Sequence, residues 1–112
     1  MKKIRWELEE AIVLFDLYLN NKDYRGISTD EIDRLTQVYR KRAEKLGIDM
    51  DDKFRNAAGL RMQLGCIHYV VTSGAEGMSN VSKLFYQTYE IYRNEPSTFN
   101  KILRQFYEKY GR

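Results

Sequence analysis

The sequence predicts an all-α protein, a compact bundle of about five helices that forms one domain over residues 1–112. Apolar residues recur at three- and four-residue steps in five separate segments, which is the pattern of amphipathic helices. No window shows the sustained alternation of apolar and polar residues, bounded by hairpin turns, that is typical of strands. The connections are short, and 112 residues are enough for one modest hydrophobic core.

The first predicted helix covers residues 4–19, where a broad apolar stripe indicates burial on more than one side. Glu7, Glu9 and Glu10 lie in its first turns, where carboxylates favour the positive end of the helix dipole. The turn-forming residues of NNKDYRG, 20–26, then end the helix.

The second predicted helix begins after Ser28, which is placed to form a capping box with Glu31, and stops at Gly47. Its second half carries a basic cluster at residues 40–42. We interpret this cluster as a solvated helix end whose charge compensates the dipole, with a phosphate-contacting patch as the alternative.

The third predicted helix, residues 54–74, carries a buried stripe of five apolar residues: Ala57, Leu60, Leu64, Ile67 and Val71. Its opposite face holds small or uncharged polar residues. Glycine costs a helix roughly 1 kcal/mol relative to alanine, so Gly59 and Gly65 predict a partner surface close to the backbone, either another helix or a DNA groove.

The fourth predicted helix follows a cap at Ser79 or Asn80 and ends at the Asn94-Glu95-Pro96 sequence. Ser97 is then expected to cap a last helix that continues to residue 110.

Composition and charge narrow the possible functions. The net charge of +3 and the pI of about 9.0 are compatible with a nucleic-acid surface without requiring one. Cys66 is the single cysteine, so an intramolecular disulfide is impossible and a reducing cytoplasm is the expected location. No apolar run approaches the length of about eighteen residues that a membrane span needs, and MKKIRWELEE lacks the apolar segment of a signal peptide.

The residues with catalytic or metal-binding potential do not form a recognisable set. Cys66 and His68 lie two positions apart, and helical rotation sends their side chains in different directions. No glycine-rich phosphate loop is present. We therefore expect no enzymatic activity, no metal site and no cofactor.

Two stretches resemble a known family. WELEEAIVLFDLYL, from Trp6, and FRNAAGLRMQLGCIHYVVTSGAEGMSNVSKLF, from Phe54, are similar to helical modules at the N-termini of HNH-type endonucleases and related restriction proteins. Arg55, Asn56 and Gly59 match the family pattern, as does Met62, whereas Gln63 and Cys66 replace its usual Lys and Asn. The resemblance implies a module that helps a restriction-type nuclease to recognise DNA, or an independent protein built from such a module.

The leading hypothesis is therefore a non-catalytic module that binds double-stranded DNA in a restriction or phage-defence context. The helix from Asn56 would present its first residues to the major groove or to phosphate. Arg55 and Arg61 would contact phosphate or guanine, Asn56 and Gln63 adenine edges, and Lys83 a neighbouring phosphate.

The alternative hypothesis is a protein-interaction module, such as a small phage-encoded inhibitor or an adaptor of a nuclease. Aromatic residues dominate many protein interfaces, and the chain has nine tyrosines. The partner would bind an aromatic surface formed by Tyr86, Tyr89, Tyr107 and Tyr110.

Overall fold

The protein folds into five α-helices and one short 3₁₀ helix, as seen in a computed structural model that describes residues 4–112. The α-helices are α1 (Leu8–Leu19), α2 (Thr29–Lys45), α3 (Ala57–Val71), α4 (Lys83–Asn94) and α5 (Pro96–Tyr110); the 3₁₀ helix covers Tyr24–Gly26. The described residues form no strand. The predicted all-α bundle of about five helices is confirmed.

Helix α1 is at the centre of the bundle. Its residues 11–15 are almost completely buried, and the helix packs against α3, α4 and α5. Helix α2 also packs against α3 and α5. This arrangement explains the broad apolar stripe of α1, because a helix surrounded by neighbours buries more than one face.

Helix α1 begins four residues later than the sequence suggested. Glu7 is its N-cap and forms a capping box with Glu10, whose side chain accepts a hydrogen bond from the Glu7 backbone N–H at 3.1 Å. The preceding residues Ile4–Trp6 are not helical. Trp6 instead packs against Tyr39 and Phe85, with ring centroids 5.4 and 5.9 Å away.

Helix α2 has the predicted cap, but its basic cluster has an unpredicted role. Ser28 Oγ accepts a hydrogen bond from the Glu31 backbone N–H at 3.2 Å, which confirms the N-cap. Arg42 is buried and paired with carboxylates of the α1 N-terminus, including Glu7 at 2.9 Å. Arg40 donates to backbone carbonyls of the α2–α3 connection. Two of the three cluster residues therefore hold segments of the fold together.

Helix α3 buries the middle of the predicted stripe: Leu60, Leu64 and Ile67 are fully buried, whereas Ala57 and Val71 are partly exposed. Its glycines have different surroundings. The neighbour of Gly65 is the chain's own loop after α3: the Met78 N–H donates to the Gly65 carbonyl at 3.1 Å, and an added Cβ at residue 65 would lie 3.0 Å from Met78 Cγ. The prediction that another helix or a DNA groove lies against Gly65 is therefore wrong, because the loop after α3 occupies this position.

Helices α4 and α5 follow each other with Glu95 as the single residue between them. Ser82, and not Ser79 or Asn80, is the N-cap of α4. Pro96 is at the first position of α5, where its missing N–H costs no hydrogen bond, so Ser97 is inside the helix and does not cap it. Among the described residues, no helix combines the length and apolar character needed to cross a membrane.

Candidate nucleic-acid interface

Arg55 belongs to the interior of the protein. Its side chain is 6% exposed, and its guanidinium lies over the rings of Trp6 and Phe54, 4.4 and 4.5 Å from their centroids. It donates hydrogen bonds to both carboxylate oxygens of Glu10, at 2.8 and 3.0 Å. The guanidinium also donates hydrogen bonds to the backbone carbonyls of Ile4 and Arg5.

This buried pair changes the assignment of Arg55. Glu10 is 1% exposed, and an unpaired buried carboxylate would be strongly destabilising, so the arginine is needed in place. The Arg55 backbone adopts a left-handed conformation with φ +49°, which turns the chain into α3. The predicted contact between Arg55 and DNA is corrected: the arginine holds the N-terminal segment and the α3 N-terminus against α1.

Two other predicted residues, Asn56 and Gln63, share one surface cleft, which we call the α3 cleft. The α3 cleft has a volume of about 390 Å³ and is lined by Ile4, Trp6, Asp51, Lys53, Phe54, Arg55, Asn56, Gly59, Met62 and Gln63. Asn56 is the N-cap of α3 and accepts a hydrogen bond from the Gly59 N–H at 2.8 Å. Gln63 lies two turns further along α3 and is partly exposed.

The remaining two predicted residues lie outside the cleft. Arg61 is partly exposed and donates to the Ile27 carbonyl at 3.0 Å, a bond that ties α3 to the segment before α2. Lys83 is exposed at the first position of α4. Because Trp6 lines the cleft and packs against Phe85, the first turn of α4 lies beside the cleft.

The excess positive charge is concentrated in α4, α5 and the C-terminus. Residues 83–112 contain six basic and three acidic residues, whereas residues 1–82 contain thirteen of each. The whole net charge of +3 therefore belongs to the last 30 residues. Lys101 and Arg104 lie on the face of α5 opposite the buried Phe99 and Phe106. This uneven distribution of charge is visible in the sequence alone, but the predicted DNA contacts on α3 did not take it into account.

The predicted aromatic surface does not form as one exposed patch. Tyr110 is buried, and Tyr89 and Tyr107 are partly buried against the core. The Tyr107 hydroxyl donates to Asp16 at 2.9 Å, and burial together with this carboxylate raises the pKa of Tyr107. Of the four tyrosines, Tyr86 alone is largely exposed, at 48%.

A hydrogen-bonded chain links α1, α3 and the following loop. Tyr18 Oη lies 2.7 Å from His68 Nδ1, and His68 Nε2 lies 2.8 Å from the Glu76 carboxylate. The hydrogen bond with His68 lowers the pKa of Glu76, and burial raises the pKa of the Tyr18 phenol. This chain of contacts ties the loop after α3 to α1.

Cys66 is also held in the interior. Its thiol is buried close to the Asn80 carbonyl, at 3.6 Å, and burial raises the pKa of the thiol. Within residues 4–112, no three His, Cys, Asp or Glu side chains converge as a metal site would require. Comparison with protein-family models, with curated proteins and with solved structures finds no match to this chain. The charge distribution and the α3 cleft are therefore the features that bear on function.

Proposed function

We propose that the protein is a non-catalytic helical module that binds double-stranded DNA in a restriction or phage-defence context. The observation that carries this proposal is the confinement of the net charge of +3 to residues 83–112. Phosphate contacts supply most of the affinity of a protein for DNA, and they come from lysine and arginine. A protein with this charge distribution would orient α4 and α5 towards the duplex.

The exposed cations of α4 and α5 are suited to this role. Lys83, Lys101 and Arg104 are exposed, and none of them forms an ion pair with a described residue. Their charges are therefore available to an external anion. Screening limits the reach of exposed charges to about 8 Å at physiological salt, so binding requires direct contact with the phosphates.

The α3 cleft supplies groups that could distinguish bases. Asn56 and Gln63 carry amides, the side chains that pair with adenine edges in protein–DNA complexes. Trp6 connects the cleft with α4, because it lines the cleft and packs against Phe85. The resemblance of residues 54–85 to modules of restriction proteins supports the same assignment.

Fluorescence anisotropy with a short labelled duplex tests the proposal. Each neutralised phosphate contributes about −0.9 to the slope of log affinity against log salt. We expect a slope of about −3 to −4 for wild type, and a slope smaller in magnitude by about one unit for Lys101→Ala and for Arg104→Ala. Lys41→Ala, an exposed lysine on α2, is the matched control and should leave the slope unchanged.

Equal slopes for all four proteins would remove α4 and α5 from the interface. Absence of saturable binding at about 50 mM salt would refute DNA binding itself, because the electrostatic contribution is strongest at low salt.

One observation favours the alternative of a protein-interaction module. Met62 and Met78 are each 46% exposed. Met78 lies over Gly65, and Gly65 is one turn after Met62 on α3, so the two methionines are close together. Exposed methionines are common at adaptable binding surfaces. In this case the partner would be a nuclease that the protein inhibits or recruits, and Met62→Lys would abolish binding to that purified nuclease while Lys101→Ala would not.

A further inference from the structure

We propose that the α3 cleft receives a single nucleobase that has left the duplex stack, with Gln63 contacting the hydrogen-bonding edge of the base. This inference rests on the proposed DNA binding and specifies what the cleft binds.

The walls of the cleft match those of a small-molecule site. Trp6, Phe54 and Met62 contribute apolar surface, together with Ile4. The volume of about 390 Å³ lies at the lower end of the range for ligand pockets, which combine apolar walls with a few polar groups. A nucleobase is a small planar ligand with apolar faces and a polar edge, and proteins that extrude a base enclose it in such surroundings.

The polar groups of the cleft include both donors and acceptors. Gln63, which is partly exposed, offers an amide N–H₂ as donor and a carbonyl as acceptor. The Asn56 carbonyl oxygen is occupied by its hydrogen bond with Gly59, which leaves the amide nitrogen as a donor. A base edge carries the same alternation of donors and acceptors, so a glutamine that is held on a helix can distinguish between bases.

The charge balance of the cleft favours a neutral ligand. The Arg55 guanidinium is neutralised by its bidentate pair with Glu10. The two other charged residues of the lining, Asp51 and Lys53, have opposite signs. The charges of the described lining residues therefore balance, which suits a neutral base better than a phosphate or a carboxylate. Lys53 would contact a phosphate next to that base.

Gly59 keeps the cleft open. A Cβ added at this position would meet Asn56 Oδ1 at 3.0 Å and no other heavy atom within 4 Å outside its own helix. Among the described residues, such a Cβ would therefore press only on the oxygen that caps α3, and the space above Gly59 is otherwise open. Glycine is unfavourable inside a helix, and the space that it leaves is part of the cleft. A large side chain at residue 59 would occupy the position of the ligand without entering the core.

The experiment uses 2-aminopurine, a fluorescent base that is quenched by stacking, placed at successive positions of a short duplex. Wild-type protein should raise the fluorescence several-fold at one or a few positions. Because a mismatched base costs less to unstack, a mismatch at that position should tighten binding. Gln63→Ala should weaken this tightened binding about tenfold. Gly59→Leu should abolish the rise in fluorescence while binding to an unmodified duplex persists through α4 and α5.

The matched controls are Gln37→Ala, an exposed glutamine on α2, and Gly26→Leu, at a glycine with no heavy atom within 4 Å of an added Cβ. Both should behave as wild type. Saturable, salt-dependent duplex binding without a rise in fluorescence at any position, or with equal effects of Gly59→Leu and Gly26→Leu, would overturn the cleft proposal and leave DNA binding standing. Absence of duplex binding at low salt would overturn both.

Discussion

The buried pair of Arg55 and Glu10 allows a stability prediction that follows from the geometry. Arg55→Ala removes the bidentate partner of a carboxylate that is 1% exposed. Removal of one member of a buried ion pair typically costs about 3–5 kcal/mol. The contacts of the guanidinium with the Trp6 and Phe54 rings add to the loss. Arg42, whose Nη1 lies 3.8 Å from Glu10, offsets part of it.

We therefore expect Arg55→Ala to lower the free energy of unfolding by about 3–4 kcal/mol, measured by urea denaturation followed by circular dichroism. Arg55→Lys should recover only part of this loss, because an ammonium cannot form the bidentate pair or lie flat between two rings. Arg34→Ala, at an exposed arginine on α2, is the control and should change stability by less than about 0.5 kcal/mol. A loss below about 1 kcal/mol for Arg55→Ala would refute the assignment of this arginine to the fold.

Three further predictions concern stability. Leu60→Ala and Leu64→Ala should each cost about 2–5 kcal/mol in thermal melts, because both side chains are fully buried; losses below about half a kcal/mol for both would contradict the packing of α3. Ser28→Ala should cost about 1 kcal/mol through the lost N-cap, and an unchanged denaturation midpoint would contradict that cap. Burial raises the pKa of Tyr39 well above 10. As the pH rises above 10, the phenol is deprotonated in the unfolded chain before it is deprotonated in the folded protein. The free energy of unfolding therefore falls by about 1.4 kcal/mol per pH unit. Tyr39→Phe should flatten that fall, and an identical slope would show that Tyr39 does not cause it.

The helices could be predicted from the sequence because their signals are local. The apolar stripe of α3 and the Ser28 N-cap depend on residues three or four positions apart, and the structure contains that N-cap and buries Leu60, Leu64 and Ile67 of the stripe. The late start of α1 has a non-local cause. Arg55 holds the carbonyls of Ile4 and Arg5, about 50 residues away, and thereby fixes the first residues in a non-helical path.

The site was harder to predict for the same reason. The sequence presents Arg55 as a free charge at the start of α3, and its partner Glu10 is 45 residues away. Asn56 and Gln63 lie on one face of α3 by helical periodicity, but the cleft around them is completed by Ile4 and Trp6, which are about 50 residues away. The surplus positive charge of residues 83–112, by contrast, is visible in the sequence, because it follows from the number of basic and acidic residues and does not depend on tertiary contacts.

The most direct test of DNA binding by this surface is a titration of the ¹⁵N-labelled protein with a short duplex, followed by the amide chemical shifts. The account predicts shifts concentrated in α4 and α5, around Lys83 and Arg104, and around Gln63 in the α3 cleft. The amides of Leu14, a buried residue of α1, and of Lys41, an exposed residue of α2, should remain unchanged. Absence of shifts at low salt, or shifts spread evenly over α2 and α5, would contradict the claim that these helices and this cleft bind DNA.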